Sequence, residues 1–85
     1  MPWTIIYSPK AVHQLKSLQK DDQVPIVRKL EALTGDPYCS IRRLKDRPLY
    51  SVRIGEIRVI LALLTDKVII CVVEVGHRKS VYQDI

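Results

Sequence analysis

The stretch that decides the fold is residues 49–75, "LYSVRIGEIRVILALLTDKVIICVVEV". It contains three runs rich in apolar and β-branched residues, 49–54, 57–64 and 68–75, which two short turn-like segments separate. Strand-like runs joined by turns of two or three residues are typical of consecutive β-hairpins. The stretch therefore predicts a three-stranded antiparallel meander.

The segment before this meander predicts another strand followed by a helix. "WTIIY" (3–7) has the aromatic and β-branched residues that favour a strand. Ser8-Pro9 follows it as a helix start, with Ser8 as the N-cap and Pro9 at the first helical position. Apolar residues then recur at helical spacing, which predicts one helix face that packs against the sheet.

A second helix completes the predicted fold. Asp21-Asp22 is expected to end the first helix and to begin the second, with Pro25 in its first turn, and Gly35 is expected to stop it. The sequence thus predicts a single α+β domain over residues 1–85, with the element order β-α-α-β-β-β. An N-terminal helical hairpin, residues 9–34, would pack on a small, mainly antiparallel four-stranded sheet.

Composition narrows the classes of partner. The 85 residues carry 14 Lys and Arg against 9 Asp and Glu, a net charge of +5, which favours an anionic partner such as nucleic acid. No apolar run has the length of a membrane span and no signal-peptide pattern is visible, so a cytoplasmic protein is expected. Cys39 and Cys71 lack metal-ligand spacing, so no metal and no other cofactor is expected.

The turn between the first two strands of the meander brings arginines together. If Gly55-Glu56 is a two-residue turn, Arg53 lies directly opposite Arg58 on one sheet face. Two opposed arginines repel each other, and an anion between them would relieve that repulsion. This interpretation makes the pair a candidate phosphate-binding site, against the alternative of solvated strand charges.

The second hairpin allows two registers. With Asp66-Lys67 as its turn, Arg58 would oppose Val75, and His77 would share the face of Arg58. The same register puts Glu74 on the helix side, unless Glu74 lies at an edge or the register slips by one residue. In either case the segment "GHRKSVY" (76–82) lies close to Arg58.

Two segments, "LYSVRIGEIRVIL" (49–61) and "VVEVGHRKSVY" (72–82), resemble the RelE/ParE superfamily of bacterial and archaeal toxins. The ending looks more like the RelE branch than the ParE branch. The resemblance implies a toxin of a toxin–antitoxin pair that inhibits translation. Such an endoribonuclease cuts mRNA in the ribosomal A site by metal-independent attack of the RNA 2′-hydroxyl group. Its implied partners are a cognate antitoxin, the ribosome and mRNA.

The resemblance also implies roles for single residues. Arg58 and Arg78 match arginines that stabilise the phosphate, Tyr82 matches a tyrosine that stacks on a base, and Arg53 matches a basic strand position. Leu49 and Ser51 stand where the best-studied branch has lysines, one of which acts as a base. His77 is therefore the candidate base, because histidine is the commonest general base in proteins.

Other basic residues are candidates for contacts with the RNA backbone. Four of them lie in or beside residues 36–47, which the sequence predicts as a polar, basic loop, and one follows the last strand. They are Arg42, Arg43, Lys45, Arg47 and Lys79.

Two other functions remain open from the sequence. A toxin of the ParE type would share the fold and inhibit DNA gyrase. A catalytically weak RNA- or partner-binding module on the same scaffold would account for the missing lysines.

Overall fold

The computed structural model describes residues 2–77, which form five strands, two α-helices and one 3-10 helix. The elements are β1 (Thr4–Tyr7), α1 (Pro9–Lys16), α2 (Lys20–Ala32), the 3-10 helix (Pro37–Cys39), β2 (Arg42–Arg43), β3 (Tyr50–Ile54), β4 (Ile57–Leu64) and β5 (Ile69–His77). The predicted α+β class is confirmed. Within this range, neither helix is long and apolar enough to cross a membrane.

The sheet has five strands in the order β1-β5-β4-β3-β2, so the prediction of four strands was wrong. The additional strand is β2, which pairs antiparallel with β3 inside the stretch predicted as a loop. Two residues are too few to produce a periodic hydrophobic pattern, and only the pairing with β3 makes them a strand. β1 pairs parallel with β5, and the remaining pairs are antiparallel, so the sheet is mixed.

The start of α1 is confirmed, because the Ala11 amide donates a 3.0 Å hydrogen bond to Ser8 Oγ. The break between the helices differs from the prediction: α2 begins at Lys20, and Asp21-Asp22 forms its first turn, where acidic side chains interact favourably with the helix dipole. Pro25 therefore lies inside α2 rather than in its first turn.

The core lies between the two helices and the sheet face that they cover, here called the helix face. Alternate strand residues such as Val59 and Leu61 are fully buried there and pack with Ile26 and Leu30 of α2. Burying one such side chain typically stabilises the folded state by about 1.5–3 kcal/mol. The opposite side chains of β3 and β4 are consequently not needed for this core.

The first hairpin has the predicted register. Ile54 opposes Ile57, and Arg53 opposes Arg58. Gly55 has a φ of 61°, in the left-handed region that glycine adopts without steric cost. A positive φ at the first of two turn residues is the pattern of a type II′ hairpin.

The second hairpin contains a register shift that the prediction did not place. Leu61 opposes Val72, but Ile60 opposes Glu74, so Val73 is an extra residue, as in a β-bulge. The shift puts Gly76 rather than Val75 opposite Arg58.

His77 consequently opposes Ile57 and shares the helix face, not the face of Arg58 as predicted. Glu74 falls on the face of Arg58, which is the one-residue slip left open above. One extra residue exchanges the two faces of every residue that follows it in the strand.

Helix α1 covers the edge of β5 where β1 ends. The Ser8 hydroxyl donates a 2.8 Å hydrogen bond to the Val73 carbonyl, and the Val75 amide donates a 2.7 Å hydrogen bond to Gln14 Oε1. Lys10 Nζ lies 2.8 Å from a carboxylate oxygen of Glu74. Ser8, the N-cap of α1, and Gln14 within it thus occupy β5 backbone groups that another strand would otherwise pair with.

Candidate functional site

The sheet face opposite the helices carries Arg42, Ser51, Arg53 and Arg58 and is here called the arginine face. A pocket of about 480 Å³ opens on it, here called the arginine pocket. Its lining comes from the end of the 3-10 helix and from β2, β3 and β4. The lining residues are Cys39, Ser40, Ile41, Arg42, Ser51, Arg53 and Arg58.

The two opposed arginines are held in different directions. Arg58 is 9% exposed, and its Nη1 donates a 3.2 Å hydrogen bond to Ser51 Oγ, away from the turn. Arg53 is exposed, and its Nε donates a 3.3 Å hydrogen bond to the Gly55 carbonyl, at the turn. These contacts draw the like charges apart along the strands, which lowers the repulsion expected from direct opposition.

The charge of the pocket suits an anion. Among the described residues, its lining holds three arginines and two serines and no carboxylate. Glu74, on the same face, is bonded to Lys10 at 2.8 Å. Guanidinium groups donate several hydrogen bonds in a planar fork that matches phosphate oxygens. Within residues 2–77, no group of three or more His, Cys, Asp or Glu residues could hold a metal ion.

The predicted RNA-binding residues do not lie together. Arg42 opposes Ser51 and lines the pocket, whereas Arg43 opposes Tyr50 and shares the helix face. Lys45 and Arg47 are exposed in the connection between β2 and β3 and do not line the pocket. Of the four, only Arg42 is in position to contact an anion in the pocket.

The remaining predicted site residues follow the last strand. His77 is exposed at the end of β5, opposite Ile57, the residue that precedes Arg58. It therefore lies at the same end of the sheet as Arg58 but on the other face. Arg78, Lys79 and Tyr82 lie outside the described residues, so their roles stay predictions.

Three lining residues were missed by the sequence interpretation: Cys39, Ser40 and Ile41. The 3-10 helix puts them beside the arginines. Asp36 is its N-cap, and Asp36 Oδ1 accepts a 3.2 Å hydrogen bond from the Tyr38 amide. The Asp36-Pro37 pair was the available signal, since such a pair marks a turn or a helix start.

The Cys39 thiol is bound to the same aspartate. Cys39 Sγ donates to Asp36 Oδ2 at 3.0 Å. This hydrogen bond, and next the negative charge of Asp36, raise the pKa of the exposed Cys39 thiol. Lys29 opposes this effect only weakly, so the thiolate is disfavoured at neutral pH.

Comparison with solved structures shows the same fold in several toxins. The toxin–antitoxin complex RelBE2 from Mycobacterium tuberculosis matches with a TM-score of 0.84 at 20% identity, over 92% of this chain and 100% of that one. A mutant of the E. coli toxin RelE in the free state matches with a TM-score of 0.84 at 19% identity, over 98% and 93%. The archaeal RelE-RelB complex from Pyrococcus horikoshii OT3 gives 0.80 at 21% identity, over 92% and 97%.

At these identities the solved structures show the fold alone. No curated protein matches the chain. A family model described as "ParE toxin of type II toxin-antitoxin system, parDE" matches residues 5–82, nearly the whole sequence. The chain belongs to this family of toxins, within the RelE/ParE superfamily.

Proposed function

We propose that this toxin is a ribosome-dependent endoribonuclease that cuts mRNA in the A site and so inhibits translation. The observation that carries the proposal is the arginine pocket, in which a buried arginine and an exposed one face each other across a hairpin. Three arginines in the lining, with no carboxylate among the described residues there, support a phosphate group as its ligand. The resemblance of residues 49–61 and 72–82 to the RelE branch supports RNA as the source of that phosphate.

Cleavage through the RNA 2′-hydroxyl group needs a base, an acid and cations. The base removes the 2′ proton, the acid protonates the leaving 5′-oxygen, and the cations stabilise the charged phosphorane. Arg58 is the principal cation, because it is buried and oriented by Ser51. Arg53 is the second cation, and Arg42 at the edge of the pocket contacts a neighbouring backbone phosphate.

The segment at the end of β5 supplies the remaining groups of the proposal. His77 acts as the general base. Tyr82 stacks on a nucleobase of the mRNA, and its phenol protonates the leaving 5′-oxygen. Arg78 is a further cation, and Lys79 contacts the RNA backbone. His77 is exposed at the same end of the sheet as Arg58, but on the helix face. Its imidazole therefore has to reach around the end of β5 to contact an RNA bound in the arginine pocket.

The proposed partners are a cognate antitoxin, the ribosome and mRNA, and the proposed compartment is the cytoplasm of a bacterium or archaeon. Two similar solved structures are complexes of a RelE-type toxin with its antitoxin, which supports the first partner. The net charge of +5 supports an acidic antitoxin and RNA alike. No small-molecule cofactor is proposed.

Mapping mRNA ends in cells after induction of the toxin tests the proposal. We expect new ends inside translated codons, which vanish with the Arg58→Ala variant and persist with the matched Arg43→Ala variant on the helix face. A translation inhibitor that keeps the A site occupied should also remove them. Intact mRNA during growth arrest would reject the proposal.

Inhibition of DNA gyrase is the second candidate, because the matching family model is that of the ParE toxins. Purified toxin added to a supercoiling and DNA-cleavage assay with gyrase separates the two. Trapped DNA breaks with intact mRNA would favour gyrase as the target. Neither effect, together with retained RNA binding, would favour a catalytically weak binding module.

A further inference from the structure

Ser51 lies at the centre of the arginine face. It is 4% exposed, on β3, with Arg42 of β2 opposite it on one side and Ile60 of β4 on the other. It lines the arginine pocket, and its Oγ accepts the 3.2 Å hydrogen bond from Arg58 Nη1. A buried hydroxyl group at the base of a cationic pocket needs its own hydrogen bonds satisfied.

The contact with Arg58 uses only part of the hydroxyl group. A serine hydroxyl has one donor and two acceptor lone pairs, whereas a guanidinium group only donates. The bond from Arg58 therefore occupies a lone pair of Ser51 Oγ and leaves its O–H free to donate. A hydroxyl that accepts from a cation is polarised, which strengthens the bond that it donates.

An anion in the arginine pocket could accept a hydrogen bond from the Ser51 hydroxyl group. Within the described residues, the lining holds no carboxylate that could accept from Ser51, and its charged groups are all arginines. An oxyanion seated by these arginines would bring an acceptor oxygen to the base of the pocket. The same anion would then accept from Arg58 and from Ser51.

We infer that Ser51 has two tasks: it orients Arg58, and it donates its hydroxyl hydrogen to a phosphate oxygen in the arginine pocket. The identity of that phosphate as an RNA phosphate rests on the proposed function, but the contact itself does not. Ser51 is thus a positioning and binding residue, and a hydroxyl group at this position is what the pocket requires.

Titration with inorganic phosphate tests this without any cleavage assay. Binding is followed by NMR, from the Arg58 Nε–H signal and the backbone amides of Ser51 and Arg53. A hydrogen bond to a charged group is worth about 1.5–3 kcal/mol, so Ser51→Ala should weaken phosphate binding at least about 10-fold. Ser51→Thr, which keeps the hydroxyl, should stay within about threefold by the same reasoning.

Two further variants make the result specific. Ser51→Cys keeps the size of the side chain but donates only weakly, so it should lose nearly as much affinity as Ser51→Ala, and it carries the test if the alanine variant does not fold. Ser17→Ala, an exposed serine on the other side of the molecule, should bind phosphate like the wild type.

The outcomes separate this inference from the proposed function. Equal phosphate affinity in wild type, Ser51→Ala and Ser51→Cys would overturn the inference, as would phosphate-induced shifts confined to residues outside the pocket. Hydroxyl-dependent phosphate binding in a toxin that leaves mRNA intact would uphold the inference and reject the proposed function.

Discussion

The two faces of the sheet differ in what their side chains do: the helix face forms the core, and the arginine face forms a charged pocket. On the helix face, Val59 and Leu61 are fully buried in the core. One residue away along β4, Arg58 lines a pocket in which like charges face each other. A domain of this size buries only about 60–65% of its unfolded surface, so it has little stability to spare. Strand alternation lets one face supply that stability while the other holds charges that oppose it.

The largest expected effect comes from removing the main cation of the arginine face. Arg58→Ala should lower the rate of mRNA cleavage by about 10²–10³-fold, because a preorganised charge that stabilises the transition state is lost. The rate is measured in single turnover on programmed ribosomes. The thermal midpoint is measured as a check of folding, because Arg58 is buried and bonded to Ser51. Unchanged cleavage by a folded variant would remove Arg58 from the site.

A truncation on the helix face should lower the stability of the fold rather than the rate of cleavage. Leu61→Ala should lower the free energy of unfolding by about 2–5 kcal/mol, because it leaves a cavity in the core. Urea denaturation followed by circular dichroism measures this, and cleavage per folded molecule should be unchanged. Leu64→Ala, in the same strand but 39% exposed, is the control and should cost far less. Equal losses from both would contradict the assignment of the core.

A substitution in α1 tests the β5 segment that follows the bulge at Val73, where the residues change faces. Gln14→Leu removes the acceptor of the Val75 amide and should cost about 1–3 kcal/mol, the usual penalty for a buried donor left without a partner. Hydrogen exchange of the Val75 amide should accelerate accordingly. Gln14→Glu keeps an acceptor oxygen and should preserve protection. Slow exchange in the leucine variant would mean that another group holds this amide.

The smallest expected effect concerns the thiol at the edge of the arginine face. Asp36 raises the pKa of Cys39, so Asp36→Asn should lower this pKa and increase the thiolate fraction at pH 8. Alkylation of Cys39 by iodoacetamide, followed by mass spectrometry, should become several-fold faster. Asp46→Asn, at an exposed position in another loop, is the matched control. No change in rate would show that Asp36 does not control the thiol.

Local sequence signals predicted the first hairpin well. Gly55 fixes a two-residue turn, and a turn of known length fixes the pairing of Arg53 with Arg58. This pairing made both arginines candidate site residues, and the structure places them in one pocket with Arg42. The Ser8-Pro9 helix start was equally local, and it was confirmed for the same reason.

Features that depend on distant contacts were not predicted. Val73 has the same side chain as Val72, and the shift beside it coincides with the bond from Ser8, 65 positions earlier in the chain. The face of His77 followed from that shift and was therefore predicted wrongly. The strand β2 and the pocket residues of the 3-10 helix likewise depend on packing against β3, which no local pattern records.

The cover that α1 provides for β5 has a consequence for association between chains. Exposed strand edges are the usual starting points for uncontrolled strand addition and aggregation. Here the Ser8 hydroxyl and the Gln14 amide oxygen occupy β5 backbone groups just past the end of β1. Within residues 2–77, the remaining strand edges are those of β1, of β3 beyond β2, and of β2, whose two arginines repel another copy of the same edge. The small helix thereby protects the longest strand of the sheet from self-assembly.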